Sequence, residues 1–319
     1  MIALFLSTLL ATATIQIFLQ IKQMNQYQQG VTRIQENIQA TSMLLGQLVR
    51  GAGDYGCNRL DDGAVFQVVG DIVAEEIGFN RNTAVEPTTY AKLAKNKYMT
   101  TSALARIDQS SDILWARRIN QFFKLHDYEE AYQNKITVEG QPTFKQDDVV
   151  LLSDCQNMDV LKVAKNVVIN SGKPTSEVFV DFDSTSQSLS KLYPPSAKLG
   201  KIESELIYVG NTLRQNQKGY PVYALYTTDL NGRTLELVEG VEKMDIQFCC
   251  DNNTKDYFSA ETYDGTQKIK AIKFNFLLSS IEDALTEPNA YIVNNKRIMP
   301  KDKILRKWWS EEWAIRSAA

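Results

Sequence analysis

The sequence has little of what metal, redox and nucleic-acid chemistry need. Its 319 residues include a single histidine, His126, which excludes a two-histidine metal site and most histidine relays within the chain. Lysine and arginine number 35 against 38 aspartates and glutamates, and this balance argues against a dedicated nucleic-acid binder. We therefore predict no cofactor, no metal and no nucleic-acid partner.

Three common sequence signatures of catalysis are also missing. There is no G-x-S-x-G, no P-loop and no H-E-x-x-H. His126-Asp127 with Glu129 and Glu130 has the residue types of an acid–base cluster, but so polar a segment favours a solvated surface. Asp181, Asp183 and Ser184 have a spacing seen in calcium loops, without the glycine and terminal glutamate of that loop. We predict that the chain is not an enzyme.

Charge is almost absent from the front of the chain. Among the first 49 residues only Lys22, Arg33 and Glu36 are charged, and 15 of the 21 residues from Met1 to Ile21 are apolar. As a helix these 21 residues would extend about 32 Å, which is enough to cross a bilayer. A cleaved signal peptide is the alternative, but a basic start and a small-residue cleavage site are missing. We predict a retained membrane anchor.

The apolar pattern continues beyond the anchor. Apolar residues recur at spacings of three and four from Met24 to Leu48, with Thr41 at one step, and the first proline is Pro87. This predicts one helix from the start to about Arg50, about 75 Å long, with its second half packed on the domain and its first half projecting. Such a helix is an assembly device, and its candidate assembly residues are Leu4, Leu9, Ile15, Phe18, Met24, Tyr27, Val31, Ile34, Ile38 and Leu45.

The helix should end at Gly51-Ala52-Gly53, because glycine adopts the left-handed conformation of helix C-termini. Gly51, Gly53 and Gly56 also satisfy G-x-G-x-x-G. In a nucleotide-binding unit, however, these glycines follow a strand and open a helix, whereas here they follow a helix. The pattern therefore predicts a helix end rather than a nucleotide site.

Beyond about residue 60, short segments show the alternation of an antiparallel sheet. The sequence thus predicts an α+β fold, with a long N-terminal helix (residues 1–50) packed on a β-rich domain (residues 51–319). Asn231-Gly232 predicts a tight hairpin. The candidate strands are Asp112 to Arg117, Val149 to Leu152, Val160 to Ile169, Glu177 to Phe182, Ile202 to Val209, Val222 to Thr228, Arg233 to Leu237, Lys243 to Cys250 and Lys268 to Leu278.

Four cysteines allow three pairings. Cys57 follows the helix and Cys155 follows a predicted strand, so these two make the most reasonable long-range disulfide, in a compartment where disulfides persist. Alternation along the strand Lys243 to Cys250 places Cys250 in the core, with Cys249 exposed or paired elsewhere. Zinc binding is a poor alternative, because C-x-x-C spacing is absent. At the C-terminus Trp308, Trp309 and Trp313 predict aromatic packing more than a binding patch.

Several segments, in this order, resemble the PilW-type minor pilins of bacterial type IV pili. They cover most of the chain, and the Gly-Cys, Asp-Cys and Leu-Val-Glu-Gly-Val elements are the specific ones. The segments are Met1 to Leu10, Gln35-Glu36-Asn37, Arg50 to Cys57, Ser111 to Leu114, Val149 to Cys155 with Val163, and Glu236 to Glu242.

The resemblance implies a type IV pilin-like fold and a minor pilin at or near the pilus tip. Such a protein is held in the inner membrane with a periplasmic domain before assembly. It then joins other minor pilins and the major pilin in the extracellular pilus, initiates assembly and supports a tip adhesin. This role implies contributions to cell adhesion and twitching motility.

The chain departs from the family at its start. The family's leader, its glycine at the peptidase site and its mature start, Phe-Thr-Leu-Ile-Glu-Leu, would precede Met1 and do not occur in this sequence. We expect translation of the upstream DNA to reveal them. Two other functions remain open at this point: a minor pseudopilin of a type II secretion system, and a membrane-anchored periplasmic enzyme or binding protein.

Overall fold

A long helix and a β-rich domain make up the structure. This computed structural model describes residues 2–53, 55, 65–69, 84–94, 105–127, 134–154, 156–169, 172, 174–182, 188–229, 232–250, 256–265, 268–293 and 296–315. The helices are α1 (Ile2–Gly51) and α2 (Tyr90–Leu93). The strands are β1 (Val65–Val68), β2 (Val85–Thr88), β3 (Ile113–Lys124), β4 (Lys135–Glu139), β5 (Val149–Ser153), β6 (Asn157–Ile169), β7 (Thr175–Val180), β8 (Lys198–Gln215), β9 (Pro221–Asp229), β10 (Thr234–Glu239), β11 (Val241–Cys249), β12 (Phe258–Ser259), β13 (Ala271–Asp283), β14 (Tyr291–Val293), β15 (Lys296–Ile298) and β16 (Ile304–Ala314).

Helix α1 confirms the predicted single helix and its end. It runs unbroken for 50 residues, which is consistent with the absence of proline from this part of the chain. After its last residue, Gly53 adopts a left-handed φ of 76°, and its N–H donates to the carbonyl of Arg117 at 3.2 Å. The glycines of the G-x-G-x-x-G pattern thus begin at a helix C-terminus, as predicted, and Gly56 lies outside the described residues.

Strand β8 organises the first sheet, whose described part has ten strands. One edge of β8 pairs with β3, while its other edge pairs with β5 near Lys198 and with β9 towards Gln215. The sheet continues from β5 through β6 and β7 to β4, and from β9 to β10, with β1 as a parallel addition beside β6. Strand β8 is eighteen residues long and therefore extends from the part of the sheet around β5 to the part around β9.

A second sheet has the order β12-β11-β13-β16, and α1 packs against β13, β16, β10 and β3. One hydrophobic core joins the helix to both sheets. Leu45 and Val49 of the helix belong to it, with Val209 of the first sheet and Phe274 and Trp313 of the second. A separate core, containing Leu125, Ile136 and Val178, lies among β4 to β7 and the far ends of β3 and β8. We call that part, residues 134–182 with these strand ends, the distal lobe.

Each of the nine predicted strands is confirmed, with ends that differ by several residues. The predicted hairpin is also confirmed, since β9 and β10 pair and Gly232 has a φ of 77° with its N–H bonded to Asp229. Sequence patterns missed seven strands of the described structure: β1, β2, β4, β12, β14, β15 and β16. Strand β2 contains Pro87, which is tolerated because, within the described residues, β2 pairs only with β3 at the border of the sheet.

The prediction for the adjacent cysteines Cys249 and Cys250 needs a correction. Cys249 is buried, not exposed, and Cys250 is half-buried against the main core. Strand β12 pairs with the last residues of β11, and Tyr257, just before β12, lies beside Cys249. The face that alternation assigned to solvent is therefore covered at this end of the strand.

Candidate membrane and assembly interface

The first half of α1 projects from the domain with its apolar side chains uncovered. Its most apolar stretch has a mean hydropathy of 1.3 and no residue buried within the molecule. Phe5 and Phe18 are each 67% exposed, and the other large apolar side chains exposed here are Leu6, Leu9, Leu10, Ile15, Ile17, Leu19, Ile21, Met24 and Tyr27. The helix is thus long and apolar enough to cross a membrane.

Threonines in this half satisfy their hydroxyls within the helix. The hydroxyl of Thr8 donates to the carbonyl of Phe5 at 2.8 Å, and Thr12 and Thr14 donate to carbonyls three or four residues earlier at 2.9 to 3.1 Å. An apolar solvent supplies no hydrogen bonds, so a polar group is tolerated there when it is bonded internally. These residues therefore remain compatible with lipid.

The candidate assembly residues form two groups, exposed before Gly30 and packed on the domain after it. Before it, five of them have exposed side chains: Leu9, Ile15, Phe18, Met24 and Tyr27. After it, Ile34 and Leu45 are buried and Val31 and Ile38 are half-buried against the domain. Leu4 lies in the helix, and its side chain is outside the described part. The apolar stripe thus serves two surfaces, a free one before Gly30 and an intramolecular one after it.

Gly30 marks the point where the helix leaves the domain. A Cβ atom placed on Gly30 would lie 2.7 Å from the Cβ of Ala284 and 3.2 Å from that of Ser280, so helix and strand approach too closely for any side chain. In the sequence this residue is one glycine within a helical pattern, which carries no signal of its own. Only the packing against β13 reveals its role.

A polar clamp holds the docked half beside this exit. The Arg33 guanidinium lies 2.6 Å from the Glu239 carboxylate, and the side-chain amide of Asn37 donates to the Glu239 carbonyl at 2.6 Å. The next residue, Gly240, has a φ of +85° and takes the chain from β10 in the first sheet to β11 in the second. We call Arg33, Asn37, Glu239 and Gly240 the helix clamp.

An ion-pair network extends the clamp across the first sheet. Arg214 of β8 contacts the carboxylates of both Glu236 and Glu239, at 2.5 and 2.9 Å. The hydrogen bond from Arg214 lowers the pKa of Glu236 below its usual value. The network joins the helix, β10 and β8 through one chain of charges, and it is half-exposed, so salt will weaken it.

At its other end, α1 rests on the tryptophans of β16. A Cβ on Gly46 would lie 3.2 Å from the indole nitrogen of Trp313, which packs edge-on against Phe274. Trp309 stacks on Phe276, with their ring centroids 5.6 Å apart. Aromatic packing against the sheet, one of the two alternatives for the tryptophan-rich end, accounts for both residues.

Asp112 joins the two sheets at the start of β3. Its carboxylate accepts the backbone N–H of Ile246 at 2.7 Å, its own N–H donates to the carbonyl of Met244 at 2.8 Å, and the neighbouring Ser111 hydroxyl accepts the Met244 N–H at 3.3 Å. Burial raises the pKa of Asp112 to about 6, against the opposing effect of the Ile246 hydrogen bond. The junction between the two sheets thus contains a carboxyl group, that of Asp112, whose pKa is close to neutrality.

Both members of the predicted disulfide, Cys57 and Cys155, lie outside the described residues. Tyr55, two residues before Cys57, is fully buried in the cluster that contains Met158. Further along, Val65 pairs with Asn157, two residues after Cys155. Residues on either side of Cys57 thus contact β6, the strand that begins two residues after Cys155. The disulfide itself stays a prediction.

The candidate acid–base and calcium-binding residues do not form a site within the described part of the structure. His126 and Asp127 are exposed, and Glu129 and Glu130 lie outside the described part; Asp181 is exposed, and Asp183 and Ser184 lie outside it. Within the described ranges, no three His, Cys, Asp or Glu side chains group closely enough to hold a metal ion. The surface that stands out is the projecting half of α1. Comparison with known proteins adds no assignment, since no protein-family model and no curated protein matches the chain.

Proposed function

We propose that this chain is a non-enzymatic minor pilin, which takes part in assembly of a type IV pilus and in its tip complex. The observation that carries the proposal is the division of α1 at Gly30. One continuous helix has a half that is fixed to the domain and a half whose apolar side chains are uncovered. A subunit with this shape presents a rigid apolar rod to whatever surrounds it.

The mechanism is a change of surroundings for that rod. Before assembly the projecting half lies in the inner membrane with the domain on the periplasmic side, and afterwards it packs among the helices of other minor pilins and the major pilin. Lipid tails are as apolar as leucine, so the transfer gains little from the hydrophobic effect. It is driven by close packing and by hydrogen bonds between helices. The domain then decides which neighbours fit, including a tip adhesin.

Contacts between the segments that carry the family resemblance support the proposal. Asn37, from the helical segment, bonds to Glu239 of the Leu-Val-Glu-Gly-Val element, and Gly240 of that element sits against Asn37. Asp112 bonds to β11, and Gly53 bonds to Arg117. The segments that resemble the family thus form contacts where the helix packs on the sheets and where the two sheets join.

The proposal is tested by complementing a strain that lacks the gene. Loss of the gene should reduce surface pili, and the wild-type gene should restore them. Phe18→Asp places a charge on the projecting half and should fail to restore piliation, because a charge is costly both in lipid and in a helical bundle. Met43→Asp is the matched control, since Met43 is 59% exposed on the docked half.

Two results would contradict the proposal. Normal piliation and twitching without the gene would place its function elsewhere. Equal restoration by Phe18→Asp and the wild-type gene would show that the projecting half does not act in assembly.

A further inference from the structure

The end of the domain from which the helix projects has a surface of its own. Gly46 lies at Trp313, which pairs with Ile272 near the start of β13, and Gly30 lies at Ala284, just beyond the end of β13. Strand β13 therefore runs along the helix towards its projecting half. The connection from β13 to β16, residues 285–303, consequently starts and ends at the helix exit.

The turn between β8 and β9 reaches the same end. The side-chain amide of Asn216 donates to the carbonyl of Ile281 at 2.8 Å, and the N–H of Gln217 donates to the Glu282 carboxylate at 3.2 Å. Residues 213–220 are thus fixed beside the end of β13. The middle of the β13–β16 connection folds back along β16, where the indole N–H of Trp308 donates to the carbonyl of Ile292 at 2.5 Å. We call residues 213–220, 285–290 and 299–303 together the helix-exit face.

Three lysines are exposed on this face, whereas Glu282 and Asp283 at the end of β13 are half-buried and their carboxylates accept backbone N–H groups of Gln217 and Lys303. Lys218, Lys301 and Lys303 are exposed, and the backbone of Lys303 bonds to Ala284 beside Gly30. From Leu285 to Lys303 the sequence has four basic residues and two acidic ones, in a chain whose net charge is negative. One of the two acids, Asp302, is buried and paired with Arg306 at 2.6 Å, which leaves Glu287 as the exposed acid of this connection.

Two apolar side chains of the face are also uncovered. Leu213 is 75% exposed and Met299 is 62% exposed. Leu213 has a left-handed φ of 63°, which is costly for a residue with a branched side chain. The strand thus bears backbone strain at a residue whose apolar side chain contacts little of its own domain.

The depth of the anchor places this face at the membrane surface. From Ile21, the last residue of the uncharged segment, to Gly30 the helix rises about 13 Å. Headgroups extend about 5 to 8 Å beyond the hydrocarbon on each side of a bilayer. The remaining gap of about 5 to 8 Å does not exceed the Debye length of about 8 Å at physiological salt, so surface charge acts on the face.

We propose that the helix-exit face rests on the anionic phospholipid headgroups of the membrane that the helix crosses. Lys218, Lys301 and Lys303 are attracted to the phosphates, and Leu213 and Met299 contact the interfacial layer. The inference depends on the membrane location given under the proposed function and is independent of the pilus. It gives the domain a fixed orientation on the membrane, in addition to the tether provided by the helix.

Hydrogen exchange of the full chain in lipid nanodiscs tests the inference. Amides of residues 213–220, 285–290 and 299–303 should exchange more slowly when phosphatidylglycerol is mixed into phosphatidylcholine, and high salt should abolish the difference. A lysine at an anionic surface contributes about five-fold in binding. Lys218→Glu combined with Lys303→Glu should therefore reduce the lipid-dependent slowing by an order of magnitude or more.

The matched control carries the same charge change on the distal lobe and its neighbouring strand end. Lys124→Glu combined with Lys145→Glu, both at exposed positions, should leave the slowing unchanged. Equal exchange in both lipids, or equal loss in the control, would overturn the inference. Slowing that follows the number of chains per nanodisc instead of the lipid would identify a second subunit as the occupant and also overturn it. A chain that fails to insert into nanodiscs at all would count against the membrane location itself, so the two failures are distinguishable.

Discussion

The two halves of α1 have the same backbone conformation and opposite surroundings. Before Gly30, large apolar side chains are at least 45% exposed; after it, Ile34, Leu45 and Val49 are at most 2% exposed. What differs is that the second half meets two sheets and a polar clamp, whereas the first half meets no part of the described domain.

This difference shows how one helix serves two purposes without a hinge. Proline is absent from the boundary, and the change at Gly30 is a change of packing partner. Substitutions in the docked half should act on the stability of the domain, and those in the projecting half should act on insertion and assembly. The following predictions test that division, from the largest expected effect to the smallest.

Reducing the predicted disulfide should have the largest effect on the docked half. A Cys57–Cys155 bond would close a loop of nearly 100 residues and stabilise the domain by up to about 4 to 5 kcal/mol in the chain-entropy model. Non-reducing peptide mapping should recover the two cysteines linked, and urea unfolding with and without reductant should give the difference. Recovery of both as thiols from oxidised protein would remove this support for the junction of helix and sheet.

Leu45→Ala and Phe18→Ala compare the two halves directly. Leu45 is fully buried among both sheets, so truncating it should lower the free energy of unfolding by about 3 kcal/mol. Phe18 has no such contacts, and its truncation should change unfolding by less than about 0.5 kcal/mol. Urea unfolding of the full chain in detergent measures both. Similar losses from the two variants would abolish the distinction between the halves.

Gly30→Ala tests whether the boundary depends on close approach. The added methyl would press on Ala284 and should cost about 1 to 3 kcal/mol, although alanine favours helix more than glycine. Ala284→Gly should restore most of this loss in the double variant. Gly51→Ala is the control, because that position has open space around it. Failure of the double variant to recover would show that the contact with Ala284 is not the cause.

Asp112→Asn should change how the stability of the docked half depends on pH. The pKa of Asp112 is about 6 in the folded protein and 3.8 unfolded, so the folded state binds more protons between about pH 4 and 6. The free energy of unfolding should therefore fall as pH rises through that window. Asparagine still accepts the Ile246 N–H, and the variant should be more stable at pH 7 by about 1 to 2 kcal/mol. An unchanged pH profile in the variant would assign the titration to another group.

Thr41→Val is the smallest test. The Thr41 side chain is fully buried, and its hydroxyl has no hydrogen-bond partner among the described residues. Valine has nearly the same shape without the unsatisfied hydroxyl, so thermal unfolding should show a gain of about 1 kcal/mol. Thr32→Val, at an exposed position of the same helix, should have little effect. A loss at position 41 would mean that the hydroxyl is satisfied in solution.

Local periodicity in the sequence predicted the long helix and most of the strands, but not the contacts that hold the helix to the sheets. The stripe from Met24 to Leu48 and the alternation along β11 and β13 are properties of neighbouring residues. The helix is confirmed, and the alternation holds from Met244 to Phe248 and from Ile272 to Phe276, whereas Lys243 and Cys249 of the predicted solvent face are buried. The Arg33–Glu239 pair joins residues 206 positions apart, and the contact of Gly30 with Ala284 depends on how a helix meets a strand. Such contacts exist only after the chain has folded. Burial of Cys249 likewise depends on β12, a short strand without a pattern of its own.

The path of β8 has a mechanical consequence. With eighteen residues it spans about 55 to 60 Å, and it pairs with β9 and β3 near the helix and with β5 in the distal lobe. A pull applied to the distal lobe along the molecule's length would run along this strand, perpendicular to its interstrand hydrogen bonds. These bonds would then share the load as a set instead of opening one after another. The domain is thus built to transmit tension from its far end to the helix.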